Sequence, residues 1–252
     1  TPVNDAPTTS AVTLTAIAED SGARIITQSE LLANASDVEN DTLTASNLAI
    51  SSGNGTLVDN TNGTWAYTPA PNDDTSVSFS YTITDNGTTN GMPDPQAVTG
   101  AATLDITPVN DAPTGTDNTI TVLEDGSHIF TAGDFGFTDP NDSPANSLAS
   151  VQITTIPISG TLKLNGVDVT SGQVIAIGDL GNLVYASAAN ANGNGYANFT
   201  FQVQDNGGTA NGGVNLDPSA NTITINVTPV NDAPAGTDNT ITVLEDGSHI
   251  FT

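Results

Sequence analysis

Apolar residues along this chain recur at a period of two rather than 3.6. Val12, Leu14 and Ala16 are separated by Thr, Trp65 and Tyr67 flank Ala66, and Val77, Phe79, Tyr81 and Ile83 alternate with Ser and Thr over a full strand length. The habit returns in Ile120 and Val122, in Leu162 and Leu164, in Phe199, Phe201 and Val203, and in Ile223, Ile225 and Val227. Asn-Gly pairs beginning at 54, 62, 86, 165 and 206 supply the positive φ that tight hairpins demand. Helix signals are few, and one short helical turn is expected at residues 29–34, SELLAN, with Ser29 as its cap. Short alternating strands joined by hairpins, about seven per hundred residues, predict an all-β chain of β-sandwiches.

The heptapeptide TPVNDAP stands at 1–7 and returns at 107–113 and 228–234, intervals close to the size of one small domain. TGTDNTITVLEDGSHIFT at 114–131 comes back at 235–252 with Thr114 replaced by Ala235 as its one change. The chain therefore reads as a piece of a longer tandem array. A linker at 1–7 leads into a module at 8–107, a second linker at 108–113 leads into a module at 114–228, and a third linker at 229–234 leads into the first strands of a truncated module at 235–252. Proline cannot donate to a sheet ladder, so Pro2, Pro7, Pro108, Pro113, Pro229 and Pro234 make the heptapeptide a stiff, extended connector between sandwiches.

Charge narrows the partners. Asp and Glu total 28 against two basic residues, Arg24 and Lys163, for a formal net charge of −26. Nucleic acid is excluded, because phosphate binding needs clustered Lys and Arg, and anionic membrane surfaces repel such a chain. No apolar run approaches the roughly 18 residues of a membrane span. Without Cys, an extracellular chain relies on its cores or on hard metal ions.

The acids gather at strand ends, in the same order in each module. Glu19 and Asp20 are followed by Asp37, Glu39 and Asp41, then Asp85, then Asn110 and Asp111 in the linker. Glu124 and Asp125 are followed by Asp139, Asn141 and Asp142, then Asp205, then Asn231 and Asp232. In a seven-stranded sandwich the loops after the second and sixth strands share one end, and the turn between the first two strands lies at the other. Stacking modules head to tail concentrates carboxylates at each joint. Ca²⁺ takes six to eight oxygens from carboxylates, Asn side chains and backbone carbonyls, and the inventory fits it. The same residue types are also what turns and acidic, soluble surfaces use.

The order Glu, D-x-E or D-x-x-D, D-N-G and V-N-D-A-P resembles the calcium motifs of cadherin repeats. LLANASDVENDTL, GTWAYTPAPN, FSYTITDNG and TPVNDAP, with GTLKLNGVDVTSGQ and FTFQVQDNGGTANGG in the second module, look still more like the bacterial cadherin-like repeats of giant RTX-type surface adhesins. The resemblance implies tandem Ig-like, Greek-key β-sandwiches that serve as a calcium-rigidified extender of a secreted cell-surface adhesin, supporting adhesion and biofilm formation. Its partners would be the neighbouring repeats, with any cell-surface or glycan target reached through other regions. Residue by residue, it implies that Glu19, Asn110, Asp111, Asp139, Asp142 and Asp205 form the central joint, with Asn141 a weaker candidate. Asn4, Asp5, Asp37, Glu39 and Asp85 would form half a joint in front, and Glu124, Asn231 and Asp232 half a joint behind. The L-D-R-E motif of true cadherins is missing, and Asn72, Asp73 and Asp74 stand in its place.

Catalysis has little to stand on. His128 and His249 occupy one repeat position and are expected as surface strand residues, and no thiol or partnered base accompanies them. The acids recur with the module boundary, as a joint requires and a glycosidase carboxylate pair does not. The rival readings are a glycan-binding module, which would need Trp65, Tyr67, Tyr81, Phe199 and Phe201 outside the core, and a passive acidic spacer indifferent to which divalent ion is present.

Overall fold

The alternating runs form two sandwiches, described for residues 3–252 in a computed structural model. Thr1 and Pro2 of the first heptapeptide lie outside the described residues. In the first sandwich a four-stranded sheet of order Val12–Ala18, Ala97–Thr107, Val77–Thr84, Thr44–Ser52 packs on a three-stranded sheet of order Arg24–Thr27, Thr64–Thr68, Thr56–Asp59. The second packs a five-stranded sheet (Asn118–Leu123, Asn221–Thr228, Gly193–Asp205, Leu148–Ile153, Val174–Ala176) on a four-stranded one (Ser127–Ile129, Leu183–Ala186, Thr161–Leu164, Val167–Asp168). Each has its own core. One is built from residues between Val12 and Ile106, the other from residues between Ile120 and Val227.

Period-two burial is nearly complete where one face meets the opposite sheet. Val77, Phe79, Tyr81 and Ile83 are buried with half-buried Ser and Thr between them, and Phe199, Phe201 and Val203 repeat this. Buried tyrosines satisfy their hydroxyls locally: Tyr67 donates to the Asn54 carbonyl (2.7 Å), Tyr81 to that of Leu31 (2.7 Å) and Tyr185 to that of Ser159 (3.0 Å). Ala16, expected inward, is exposed. Pairing with the last strand shifts between Leu104 and Ile106, so Ile17 takes the next inward place.

One feature of the topology positions the joint residues. The first strand of each sandwich runs parallel to its last, Val12–Ala18 beside Ala97–Thr107 and Asn118–Leu123 beside Asn221–Thr228. The residue just past the first strand therefore meets the chain as it leaves for the linker. Glu19 N–H donates to the Thr107 carbonyl (3.0 Å), and Glu124 N–H to that of Thr228 (2.8 Å).

Further expectations from the sequence are corrected. The helical turn spans Gln28–Leu31 and is capped by Thr27, not Ser29. The Thr27 hydroxyl accepts from Glu30 N–H, and Glu30 accepts from Thr27 N–H (2.8 Å), a reciprocal box that places the helix start before Ser29. At 86–87 and 206–207 neither Asn nor Gly has positive φ, in contrast to Asn165 and Gly166 (φ 52° and 81°). Residues 235–252 form no strand, although their near-copy at 114–131 does. Asn118–Leu123 is held by Asn221–Thr228, a partner about a hundred residues downstream, and the later copy has no such partner within this sequence. His128 is on a strand, as expected, but half-buried, its Nε2 3.4 Å from Asp134 Oδ2. His249 is exposed and outside any strand.

Candidate metal centre

At the central joint the linker 108–113 is gripped from both sides. Upstream, Val109 N–H donates to Glu19 Oε1 at 2.6 Å. Glu19 is buried, and desolvation raises its carboxyl above the ordinary value against the pull of the Val109 hydrogen bond. The charges of Asp111, Asp20 and Asp74 push it further. Downstream, Asp111 N–H donates to the Asp142 carboxylate (3.2 and 3.3 Å), and Asn110 Nδ2 donates to both Asp205 oxygens (3.2 and 3.3 Å) and to the Val214 carbonyl (2.7 Å). Asp111 is raised by burial and by the charges of Asp20 and Asp142. Asp139, 5% exposed, is pushed up to about 6 by burial and by Asp142 and Asp205, despite Asn146 N–H donating to its Oδ2 (2.9 Å). A cleft of about 270 Å³ opens between Val109–Asn110 and Asp142–Pro144. Glu19, Asn110, Asp111, Asp139, Asp142 and Asp205 thus converge on one joint. Asn141 is exposed.

The front of the chain repeats the arrangement. Asn4 Nδ2 donates to Asp85 Oδ1 and to the Asp94 carbonyl, both at 2.9 Å. Although buried, the Asp85 carboxyl is held below its ordinary value by N–H donors from Gln96 and Gly87 and by Asn4. Asp37 Oδ1 accepts from the N–H of Glu39 (2.9 Å) and of Asp41 (3.1 Å). Asp37, Glu39 and Asp41 each present an oxygen within 4.8 Å of the others. Asp5 is exposed, and its charge adds to desolvation in raising Glu39. At the back, Glu124 is 8% exposed and accepts from Val230 N–H (2.9 Å) and Asn192 Nδ2 (3.0 Å), while Asn231 and Asp232 are exposed.

The distribution of unpartnered atoms differs from that of an ordinary turn. Among the described residues, the buried side-chain oxygens or nitrogens with no hydrogen-bond partner are Asn4 Oδ1, Asp37 Oδ2, Asp85 Oδ2, Asp111 Oδ2, Asp139 Oδ1 and Ser187 Oγ. All but the serine belong to the joint residues singled out in the sequence. Turn chemistry pairs such oxygens with N–H groups, and a buried acceptor left bare is costly unless a cation faces it.

Residues 3–99 match the family model of the cadherin-like domain. A comparison with curated proteins found no match. Similar solved structures include human protocadherin-24 EC1-2 (15% identity, TM-score 0.48, over 87% of this chain and 98% of that one) and human CDH23 EC21-23 (17%, 0.46, over 88% and 65%). The endo-fucoidan hydrolase MfFcnA4 from glycoside hydrolase family 107 is also similar at 17% identity and TM-score 0.30, over 89% of this chain. The chain spans about 29% of that hydrolase and half of the Drosophila N-cadherin EC1-4 structure. The cadherin-like match covers most of the first sandwich, up to the start of its last strand, and includes Asp37, Glu39, Asp41 and Asp85.

Four contributors stand outside the ligand sets expected from the sequence, and of these Asn146 alone is absent from the acidic and linker stretches named there. Asp41 lies in the same SDVEND stretch and completes the front triad. Asp20 and Asp74 act on Glu19 across the sandwich end, and Asn72 N–H lies 3.4 Å from Asp20 Oδ1. Asn146, four residues past Asp142, reaches Asp139 and Asn110, a contact visible only once the loop is folded.

Proposed function

We propose that the chain is part of the calcium-rigidified extender of a large secreted bacterial cell-surface adhesin, in which cadherin-like repeats form a spacer that supports adhesion and biofilm formation. The observation that carries this reading is the set of bare, buried oxygens on Asn4, Asp37, Asp85, Asp111 and Asp139. Glu19, Asn110, Asp111, Asp139, Asp142 and Asp205 would hold Ca²⁺ at the central joint, Asn4, Asp5, Asp37, Glu39 and Asp85 at the front, and Glu124, Asn231 and Asp232 at the back. The repeat divisions at 8–107 and 114–228 belong to the same proposal. Ca²⁺ is favoured over Mg²⁺, which demands tight octahedral geometry and sheds water reluctantly. Extracellular calcium modules bind at about 10⁻⁴ to 10⁻³ M, so a low-calcium cytoplasm leaves the joints loose for export and millimolar calcium outside stiffens them.

No catalytic role is proposed. The glycan-platform reading loses its residues, because Trp65, Tyr67, Tyr81, Phe199 and Phe201 are all at most 3% exposed. Asp111→Ala is expected to abolish calcium-dependent stiffening of the central joint while both sandwiches stay folded. Small-angle scattering with and without calcium checks this, and a variant that lengthens with calcium as the parent does would sink the assignment.

A further inference from the structure

We infer that the linker asparagine is a cation-independent latch, docking each linker onto the sandwich that follows it through a slot whose floor is Gly87 or Gly207. Asn4 is 6% exposed. Its N–H donates to Thr89 Oγ1 (3.0 Å), and its amide donates to Asp85 and to the Asp94 carbonyl. Asn110 makes the equivalent contacts to Asp205 and the Val214 carbonyl. In both places the amide supplies the positive end that the carboxylate needs, a hydrogen bond to a charged acceptor that requires no ion.

The glycines follow from this docking. The absence of positive φ at 86–87 and 206–207 means that hairpin geometry does not call for Gly there. Space does. A Cβ at Gly87 would overlap the Asn4 amide oxygen, and one at Gly207 the Asn110 amide oxygen. The intervening asparagines tie the slot to the acidic loop, Asn86 Oδ1 accepting from Thr42 N–H and Asn206 Oδ1 from Ser147 N–H, both at 2.8 Å. The third linker copy supplies a contrast: Asn231, with no following sandwich in this sequence, is exposed, and its amide reaches the neighbouring Asp232 carbonyl (3.1 Å). The linker asparagine is therefore docked on the sandwich after it, while Val109 N–H holds the same linker to Glu19 of the sandwich before it.

The latch does not rest on the cation reading, and chelator separates the two. Val214 N–H donates to the Asn110 backbone carbonyl (2.8 Å), so its hydrogen exchange reports docking. Followed by NMR in chelator, this amide is expected to be protected in the parent and in Asp111→Ala. It should exchange at least about tenfold faster in both Asn110→Ala and Gly207→Ala, while amides of Gly193–Asp205 keep their protection. Unprotected Val214 in the chelated parent, or full protection in Asn110→Ala, would overturn the latch. Either result leaves calcium binding to be judged on its own.

Discussion

Asp139→Asn is expected to stabilise the ion-free chain and to remove most of the stabilisation that calcium brings. The carboxylate is buried, faces Asp142 and Asp205, and carries one bare oxygen, so without a cation its charge is a net cost. Asn keeps an acceptor for Asn146 N–H and drops the charge. In calcium the loss of one anionic ligand lowers affinity by about tenfold or more, because affinity follows ligand charge count. The same carboxyl sets the sign of the pH dependence. Its folded value of about 6 lies above the ordinary 3.8, so between about pH 4 and 6 the native state binds more protons than the unfolded one. Stability in chelator therefore falls as pH rises through that window, by up to about 3 kcal/mol, and the gain on acidification reverses below about pH 4, where depressed carboxyls such as Asp85 protonate. Saturating calcium inverts the slope, since the ion needs the deprotonated form. Unfolding midpoints at pH 5 and 7 in chelator and in calcium check both statements. Equal slopes in parent and variant would refute them.

Phe199→Ala should destabilise the second sandwich by about 3–5 kcal/mol and leave the first untouched. Phe199 is fully buried and meets Phe130 edge-on at 5.5 Å, in a core that shares no member with the other. Trp65, the only tryptophan, is buried in the first sandwich and reports that sandwich alone. In denaturant the variant should keep its fluorescence midpoint while circular dichroism gains an earlier transition. A fluorescence midpoint that moves with the variant would mean that the two cores unfold as one unit.

What the sequence made legible follows from the physics of each signal. Alternation fixes which side chains face in wherever pairing is regular, so Phe79 to Ile83 and Phe199 to Val203 were readable and Ala16, beside a register shift, was not. A capping box was present in T-Q-S-E, but Ser29 stood nearer the apolar pair Leu31–Leu32 than Thr27 did and only the fold chose between them. The repeated acids point to the proposed joint because they recur with the expected module boundary. The partners Asn146 and Asp74 carry no such periodicity and come together through tertiary structure. The near-identical segments 114–131 and 235–252 make the point most plainly: local propensity is the same, and strands form where Asn221–Thr228 offers a parallel neighbour.

Thermal unfolding of the chain in chelator, in about 5 mM Mg²⁺ and in about 5 mM Ca²⁺ tests the central claim most directly, because an ion bound to the folded state alone must raise the midpoint. At dissociation constants of about 10⁻⁴ to 10⁻³ M one site contributes about 1–2 kcal/mol, a rise of at least about 4 °C for a sandwich of this size. The account predicts that rise in calcium and little of it in magnesium. Identical midpoints in all three solutions would contradict it and leave TPVNDAP a latched, proline-stiffened spacer.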